Sequence, residues 1–305
     1  MKTQKRLDEV FKSARVEYFD DSSRYVFMSD CHRGDGSHSD EFTKNQNLFI
    51  HALQHYYDND YTYVEVGDGE ELWEQPKMKY IKNAHYDVYE VIKKFHYHDR
   101  LIMLYGNHDI FLKYPEYVEK YYFRFYNEYR EEFYDFLKGV MPIESLVLKH
   151  KDTGQEILVV HGHQGDFAND QAWYFTMLTL KYFWRFLHAF GVKNPASPVK
   201  NTYKRHKIEN NYNKWIGNNK RMLICGHTHR YKFPRNGDLP YFNTGCCIYP
   251  TTISAIEISE GKVQLVRWKM RPNRDGMIVV KKDVLRGPES ISQFDIRDSE
   301  ERDSV

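Results

Sequence analysis

The chain has 305 residues, of which 41% are hydrophobic and 29% charged, and its formal net charge is +1. This length predicts one catalytic domain with insertions and tails, and it is sufficient to bury a large core. The balance of charges excludes a protein-wide basic field, so composition carries no strong nucleic-acid signal.

The sequence favours a cytoplasmic protein. Residues 1–20 are charged throughout and lack the apolar stretch of a secretory signal. No window of 18 uncharged apolar residues predicts a transmembrane span. The four cysteines form no CxxC pair, and some adjoin candidate metal ligands, where a disulfide would be harmful. Peripheral contact with a membrane stays open because one segment is unusually aromatic.

In chain order, residues 3–14 predict an amphipathic helix, and strands and helices then alternate. Five short β-rich runs predict strands, and each ends in a polar cluster. Helices are predicted between several of them, for example at 41–57 and 83–95. This alternation predicts an α/β protein whose functional groups lie at the carboxyl ends of strands. The five runs are 24–28, 61–66, 101–105, 157–160 and 222–225.

Two hairpins are predicted, at 145–160 and 252–269, around turn residues. Together with the preceding elements they predict two sheets packed face to face with helices outside, an α/β/β/α sandwich. We assign 1–20 to an N-terminal helical extension, 21–286 to the catalytic domain and 287–305 to a polar tail that is disordered or loosely docked. Helical insertions at about 111–140 and 165–215 are expected to form a cap.

Two pairs of residues repeat the same spacing at strand ends. Asp30 and His32 follow the first strand, and residues at i and i+2 point the same way. A carboxylate and an imidazole can then share one cation. His227 and His229, in Gly-His-Thr-His, repeat the spacing after the fifth strand. This four-residue motif is the most specific single signal in the chain.

The other three clusters supply complementary groups. Asp68 follows Gly67, and its two carboxylate oxygens can bridge two cations. In Gly-Asn-His-Asp, Asn107 offers a neutral amide oxygen, and His108 is suited to proton transfer near pH 7. His161 ends another strand.

The conjunction of these clusters predicts a two-cation phosphoesterase. Each cluster alone is ambiguous, but five clusters at strand ends favour one shared site. Imidazole, carboxylate and amide ligands without thiolate suit Mn, Fe, Zn or Ni in an open, catalytic site. Two such cations about 3.5–4 Å apart can hold a hydroxide and clamp a phosphoryl oxygen.

In order and spacing, these motifs resemble those of the calcineurin-like metallophosphoesterase superfamily, over residues 25–268. The resemblance implies a two-sheet sandwich and two divalent cations, with manganese favoured. It also implies that a hydroxide between the cations attacks phosphorus, that His108 donates a proton to the leaving group, and that Glu71 orients His108. The implied ligands are Asp30, His32 and His229 for one cation, Asn107, His161 and His227 for the other, and Asp68 for both.

Within the superfamily, the chain resembles the bacterial UDP-2,3-diacylglucosamine diphosphatase-like members. The similarity lies in Gly-Asp-Gly-Glu-Glu followed by Trp73, and in a helical insertion after His161. This implies a phosphorylated small-molecule substrate that is linked to a nucleotide or a lipid. The diphosphatase usually has Arg in place of His108 and lacks the Arg-Gly-Asp that begins here at Arg33.

Three features bear on the substrate. Arg33 follows a predicted ligand, and its fixed charge could bind a second phosphate or pair with Asp35. His163 follows His161 and is expected to face the same cleft. The predicted helix 172–192 is apolar almost all round, which leaves burial, a dimer contact and a lipid lid as explanations.

Two other functions stay open at this point. A phosphoprotein phosphatase would have an open, shallow cleft, whereas a long aromatic insertion predicts a covered one. A non-catalytic scaffold on the same fold would be expected to lose ligands, and this chain keeps all seven together with His108.

Overall fold

The computed structural model describes residues 3–127, 130–179 and 202–297. The strands, in chain order, are β1 (Arg15–Phe19), β2 (Tyr25–Met28), β3 (Thr62–Val66), β4 (Leu101–Leu104), β5 (Arg124–Asn127), β6 (Glu132–Asp135), β7 (Ser145–His150), β8 (Glu156–Val160), β9 (Met222–Cys225), β10 (Tyr241–Asn243), β11 (Thr252–Ser259), β12 (Lys262–Pro272) and β13 (Ile278–Ser290). The α-helices are α1 (Thr3–Lys12), α2 (Gln46–Asp58), α3 (Met78–Ala84), α4 (Tyr86–Tyr97), α5 (Pro115–Tyr122), α6 (Trp173–Thr179) and α7 (Thr202–Asn219).

Most strands of the described ranges belong to two large mixed sheets. One has six strands in the order β13-β12-β11-β2-β3-β4, and the other has five in the order β1-β7-β8-β9-β10. β2, β3 and β4 run parallel, as do β8, β9 and β10. In each sheet the carboxyl ends of these parallel strands lie along one edge, where the loops that follow them meet.

Alternating side chains divide each sheet into an inner and an outer face. In β2, Phe27 packs into a core between the sheets, whereas Val26 packs into a second core beneath α2 and α4. In β8, Val159 belongs to the core between the sheets, and Val160 belongs to a third core beneath α1 and α7. The resulting order of helix, sheet, sheet and helix confirms the predicted α/β/β/α sandwich.

The predicted strands that end in polar clusters are all present, each with bounds within one residue of those predicted. The two predicted hairpins form the antiparallel pairs β7–β8 and β11–β12. Local sequence patterns were sufficient to predict both hairpins because the two strands of a hairpin are close in sequence.

The insertion at about 111–140, which was expected to be helical, is helical only in part. α5 ends at Tyr122, and an antiparallel hairpin of β5 and β6 follows. Phe125 pairs with Tyr134 and Tyr126 with Phe133, and aromatic residues favour such paired strands. The insertion at 111–140 is therefore mixed rather than helical.

Both termini of the described chain differ from the prediction. The extension at 1–20 contains β1, which pairs in parallel with β7 at the edge of the five-stranded sheet. Residues 287–297 are not a loose tail, because β13 pairs with β12 as far as Ser290. Ile291 and Phe294 then pack into the core between the sheets. Residues 298–305 lie outside the described residues.

The insertion at 165–215 is described in part. α6 covers the first residues of the predicted helix 172–192, and the remainder of that helix lies outside the described residues. α7 packs Tyr212 and Trp215 into the core beneath it, so this part is a layer of the sandwich rather than a cap. Among the described helices, none is long and apolar enough to cross a lipid bilayer.

Candidate metal centre

Asp30, His32 and His229 converge at one edge of the sandwich. Nε2 of His229 lies 3.1 Å from Oδ1 of Asp30 and 3.2 Å from Nε2 of His32. Nε2 of His32 lies 3.8 Å from Oδ1 of Asp30. One ligand atom from each residue falls within 4.8 Å of the other two, which is close enough for all three to bind one cation. We call these residues the first set.

Asp68, His161 and His227 form a second group of the same kind, and all three are buried. Nε2 of His161 lies 3.1 Å from Oδ2 of Asp68. Nδ1 of His161 is 2.8 Å from the carbonyl oxygen of Val66, which can only accept a hydrogen bond. Nδ1 therefore carries a proton, and Nε2 is the nitrogen that faces Asp68. We call His161, His227 and Asn107 the second set, and we treat Asp68 as shared by both sets.

Asp68 lies between the two sets. Its Oδ2 is 3.1 Å from His161 in the second set and 3.8 Å from His32 in the first. Its Oδ1 accepts a hydrogen bond of 2.8 Å from the backbone N–H of His108. The carboxylate is therefore held from one side while its other oxygen faces histidines of both sets.

The residues of both sets fit divalent cations. Oδ1 of Asp30, Oδ1 of Asn107 and Nε2 of His161 are buried, and within the described residues none of them has a partner that meets hydrogen-bond geometry. A buried polar atom without a partner costs about 1–3 kcal/mol, and such atoms are rare in folded proteins. Carboxylate, amide and imidazole atoms of this kind suit Mn, Fe, Zn or Ni.

The backbone at the site is strained. Five of the seven predicted ligands are non-glycine residues in the left-handed region, with φ between 48° and 66°. Such a conformation costs of order 1–3 kcal/mol per residue and persists only where the surroundings enforce it. The concentration of left-handed residues in these loops favours a functional role for them. The five residues are Asp30, His32, Asp68, His227 and His229.

Two glycines allow the loops to approach each other. A Cβ atom on Gly106 would lie 2.2 Å from Oδ1 of Asp68, and one on Gly226 would lie 2.5 Å from Oδ2 of Asp30. Any other residue would displace these carboxylates. The glycines of Gly-Asn-His-Asp and Gly-His-Thr-His therefore keep space for the predicted ligands.

Glu71 joins His108 to the first set. Its carboxylate lies 2.8 Å from Nδ1 of His108 and 2.9 Å from Nδ1 of His32. The ring of Trp73 stacks on His108 with centroids 4.4 Å apart. Because Nδ1 of His108 faces Glu71, Nε2 is the nitrogen that remains for a reacting group.

Charges within the site shift the proton affinities of its histidines. Burial lowers the pKa of His161 and His229, but the carboxylates of Asp68 and Asp30 beside them outweigh burial and raise both pKa values to about 9. Burial dominates at His227, whose pKa is lowered despite the nearby Asp166 carboxylate. The first two rings are therefore protonated at neutral pH while no cation competes for them.

Arg33 does not line the site, which contradicts its predicted role in substrate binding. The residue is fully buried, and its guanidinium donates paired hydrogen bonds of 2.6–3.1 Å to Glu65 and Glu70. Since its donors already face two carboxylates, Arg33 is part of the support beneath the Glu70–Glu71 loop.

His163 lies beside the second set but has only 1% of its surface exposed. Its ring centroid is 5.6 Å from that of His161, and burial lowers its pKa well below the usual range. His163 therefore lies next to His161, as expected, but its ring is not open to a substrate.

Sequence reasoning missed Asp109 as a structural part of the site. Its carboxylate accepts hydrogen bonds from the backbone N–H groups of Gly69, at 2.8 Å, and Gly106, at 2.6 Å. It therefore connects the loop of Asp68 to the loop of Asn107. The signal for Asp109 in the sequence was its place as the fourth residue of Gly-Asn-His-Asp.

Comparisons with solved structures give matches of low similarity. An uncharacterised protein of Streptococcus pneumoniae TIGR4, described as a predicted phosphoesterase, is 14% identical, with 86% of this chain and 97% of that chain covered and a TM-score of 0.34. Chaetomium thermophilum Vps29 is 10% identical (87% and 97% covered, TM-score 0.37). A cold-active protein-tyrosine phosphatase of a Shewanella species is 11% identical (89% and 83% covered, TM-score 0.40). At this level the matches say nothing about activity.

A search of curated proteins found no match. The sequence profile of the calcineurin-like phosphoesterase family, in contrast, matches residues 23–231. This range is more than half of the chain and contains both sets of residues described above. On this match, the chain belongs to the calcineurin-like phosphoesterase family.

Proposed function

We propose that the protein hydrolyses phosphoester or diphosphate bonds with two divalent cations. The observation that carries this proposal is the convergence of two ligand sets on Asp68, which has a histidine of each set beside one oxygen. Membership of the phosphoesterase family supports the reaction class. Manganese is the proposed metal.

Each set has a defined place in the proposal. The first set would hold one cation, the second set would hold the other, and Asp68 would be shared by both. When bound, such a pair generates a nucleophile from water at neutral pH and neutralises charge on the phosphoryl group. The backbone N–H of His108 donates to Oδ1 of Asp68 and so fixes the orientation of the carboxylate that both cations would share.

His108 is the proposed proton donor to the leaving group. Glu71 accepts a hydrogen bond from Nδ1 and sets the orientation of the ring, while Trp73 stacks on the ring and limits its rotation. Nε2 is then the atom that gives up the proton. Proton transfer by a positioned side chain contributes typically 10²–10⁴-fold to a rate.

For the substrate, we propose a phosphate joined to a nucleotide or a lipid. The support is an aromatic surface close in sequence to the second set. Trp173 packs edge-on against Phe111, with centroids 5.8 Å apart, and Nζ of Lys113 lies 5.0 Å from the Trp173 ring. Phe111 follows Asn107 by four residues, so this surface can contact the non-reacting part of a substrate.

The test uses purified protein loaded with Mn²⁺ and assayed against monoesters, diesters, nucleotide diphosphates, lipid-linked diphosphates and a phosphopeptide. We expect hydrolysis of at least one small-molecule class and two cations per chain. Asp68→Asn should bind fewer than two cations and lose at least about 100-fold in rate, since ligand supports alone are worth 10–100-fold. The matched control is Asp152→Asn, which changes an exposed turn.

Full activity in Asp68→Asn would refute the two-cation assignment. Preference for the phosphopeptide would favour a phosphoprotein phosphatase instead. Two bound cations without turnover of any class would favour a scaffold.

A further inference from the structure

Asp166 lies five residues after His161, on the segment that leads from β8 into the insertion. Its backbone N–H donates to the carbonyl of His163, and its own carbonyl accepts from the N–H groups of Asn169 and Asp170. These bonds form a compact turn that continues into a π-helical turn at Phe167–Gln171. The turn aims the carboxylate of Asp166 back toward the second set.

The side chains of Asp166 and Asn169 contact His227. Oδ2 of Asp166 lies 3.7 Å from Nε2 of His227, and the Asp166 side chain is only 7% exposed. Nδ2 of Asn169 donates to Oδ2 of Asp166 at 2.7 Å and lies 3.5 Å from the same nitrogen of His227. A distance of 3.7 Å matches the 3.8 Å that separates Nε2 of His32 from the carboxylates of Asp30 and Asp68. Asp166 approaches the second set from the side of His227, outside the compact group around Asp68.

Charge distinguishes the two sets. The first set contains the carboxylate of Asp30 in addition to the shared Asp68. The second set has only neutral ligands, Asn107, His161 and His227, besides Asp68. Because a divalent cation is stabilised by negative charge in a buried site, the second position is short of one carboxylate by comparison. Asp166 brings a further carboxylate beside His227, a ligand of this second position.

The segment that carries Asp166 is held firmly by α1. Arg6 forms ion pairs with Asp170 and Glu144. A Cβ atom on Gly165 would lie 2.7 Å from Cα of Thr3, so the backbone here is packed tightly against the helix. Asp170 also accepts a hydrogen bond from the N–H of Gly165 at 2.8 Å. The carboxylate of Asp166 is therefore pre-positioned rather than free to swing into solvent.

We propose that Asp166 is a further cation-binding residue of the second set, with Asn169 orienting its carboxylate. The inference rests on the two-cation function proposed above. It assigns the segment that follows β8 a role in metal binding. It also explains why a buried carboxylate and amide are placed against a predicted ligand.

The test is calorimetric titration of cation-free, full-length protein with Mn²⁺, combined with elemental analysis and electron paramagnetic resonance. Asp166→Asn keeps the shape and the hydrogen bond to Asn169 but removes the charge. We expect its affinity for the second cation to fall about 10–100-fold, with the first cation unchanged and the spectrum of coupled manganese ions weakened. Asp166→Glu should restore much of the affinity.

The matched control is Asp170→Asn, on the same turn but paired with Arg6 rather than with His227. It should keep both cations. Unchanged affinity in Asp166→Asn would overturn the inference, and so would an equal loss in Asp170→Asn or in Asp166→Glu, because docking of the segment would then be the cause. If the unchanged protein itself binds fewer than two cations, the two-cation function fails instead.

Discussion

At the residue scale, Glu71 serves two histidines with different proposed roles. It accepts hydrogen bonds from Nδ1 of both His32 and His108, whose rings lie 4.6 Å apart. Burial would raise the pKa of Glu71, but His108 and His32 hold it well below its usual range. An ionised Glu71 therefore turns Nε2 of His32 toward the first cation position and leaves Nε2 of His108 to face a reacting group.

His108→Gln should separate these two roles. We expect kcat to fall about 10²–10⁴-fold for alkyl phosphates, which need a proton on the leaving group, and much less for p-nitrophenyl phosphate. Cation content should stay at two, because His108 is not a proposed ligand. A series of leaving groups with different pKa values measures the effect. Loss of a cation in this variant would contradict the assignment of His108 as proton donor.

Arg33 gives a second residue-scale prediction. Arg33→Met leaves Glu65 and Glu70 buried without their counter-ion, which should lower the free energy of unfolding by about 3–5 kcal/mol. The control is Arg15→Met, whose partner Glu17 is at the surface, with an expected change within about 1 kcal/mol. Urea unfolding measures both. Similar values for the two variants would show that the buried guanidinium does not compensate its neighbours.

At the element scale, the site depends on where strands end rather than on the helices. β2, β3 and β4 each stop at the same edge, and the loops after them carry Asp30, Asp68 and Asn107. The loops after β8 and β9 bring His161 and His227 to the same edge from the other sheet. The centre therefore lies across both sheets, and its geometry requires that they keep their relative position.

The segment that follows β13 helps to hold the two sheets in their relative position. Phe294 is buried between the sheets and packs against Phe233 and Phe242. Phe294→Ala should lower the free energy of unfolding by about 3–5 kcal/mol. Val284→Ala, at a half-exposed position of β13, should change it by less than about 0.5 kcal/mol. Thermal and urea unfolding test this, and an equal, small effect of both changes would mean that residues 287–297 are dispensable.

At the scale of the whole molecule, protons and cations compete for the same site. Without cations, His161 and His229 have pKa values of about 9 and act as counter-charges to Asp68 and Asp30. Because these folded-state values exceed the ordinary value near 6.5, the stabilisation is complete below about pH 6.5. It is lost as the pH rises through about 9. The cation-free protein should therefore unfold more easily at pH 9.5 than at pH 6.5.

The affinity for cations should depend on pH in the opposite direction. An imidazole must lose its proton before it can bind a metal, so affinity for Mn²⁺ should rise between pH 6.5 and 9, by about tenfold per pH unit for each proton released. Calorimetry in buffers of different ionisation enthalpy counts the released protons. A pH-independent affinity with no proton release would contradict the raised pKa values of these two histidines.

The sequence by itself determined the features that depend on short spacings. Asp-x-His, Gly-Asn-His-Asp and Gly-His-Thr-His could be read because neighbouring residues at a strand end share a direction. The sandwich could be predicted because alternation within strands, and turns between adjacent ones, are local properties. The predicted ligands were named on this basis, and the structure brings them to one edge.

Only the tertiary structure decided the partners that are distant in sequence. Arg33 pairs with Glu65 because β2 and β3 are neighbours in the sheet. Asp166 meets His227 because β8 lies beside β9. Burial of Phe294 depends likewise on two sheets closing over it. In each case the free energy comes from burial and pairing across the fold, and no local pattern encodes which surfaces will meet.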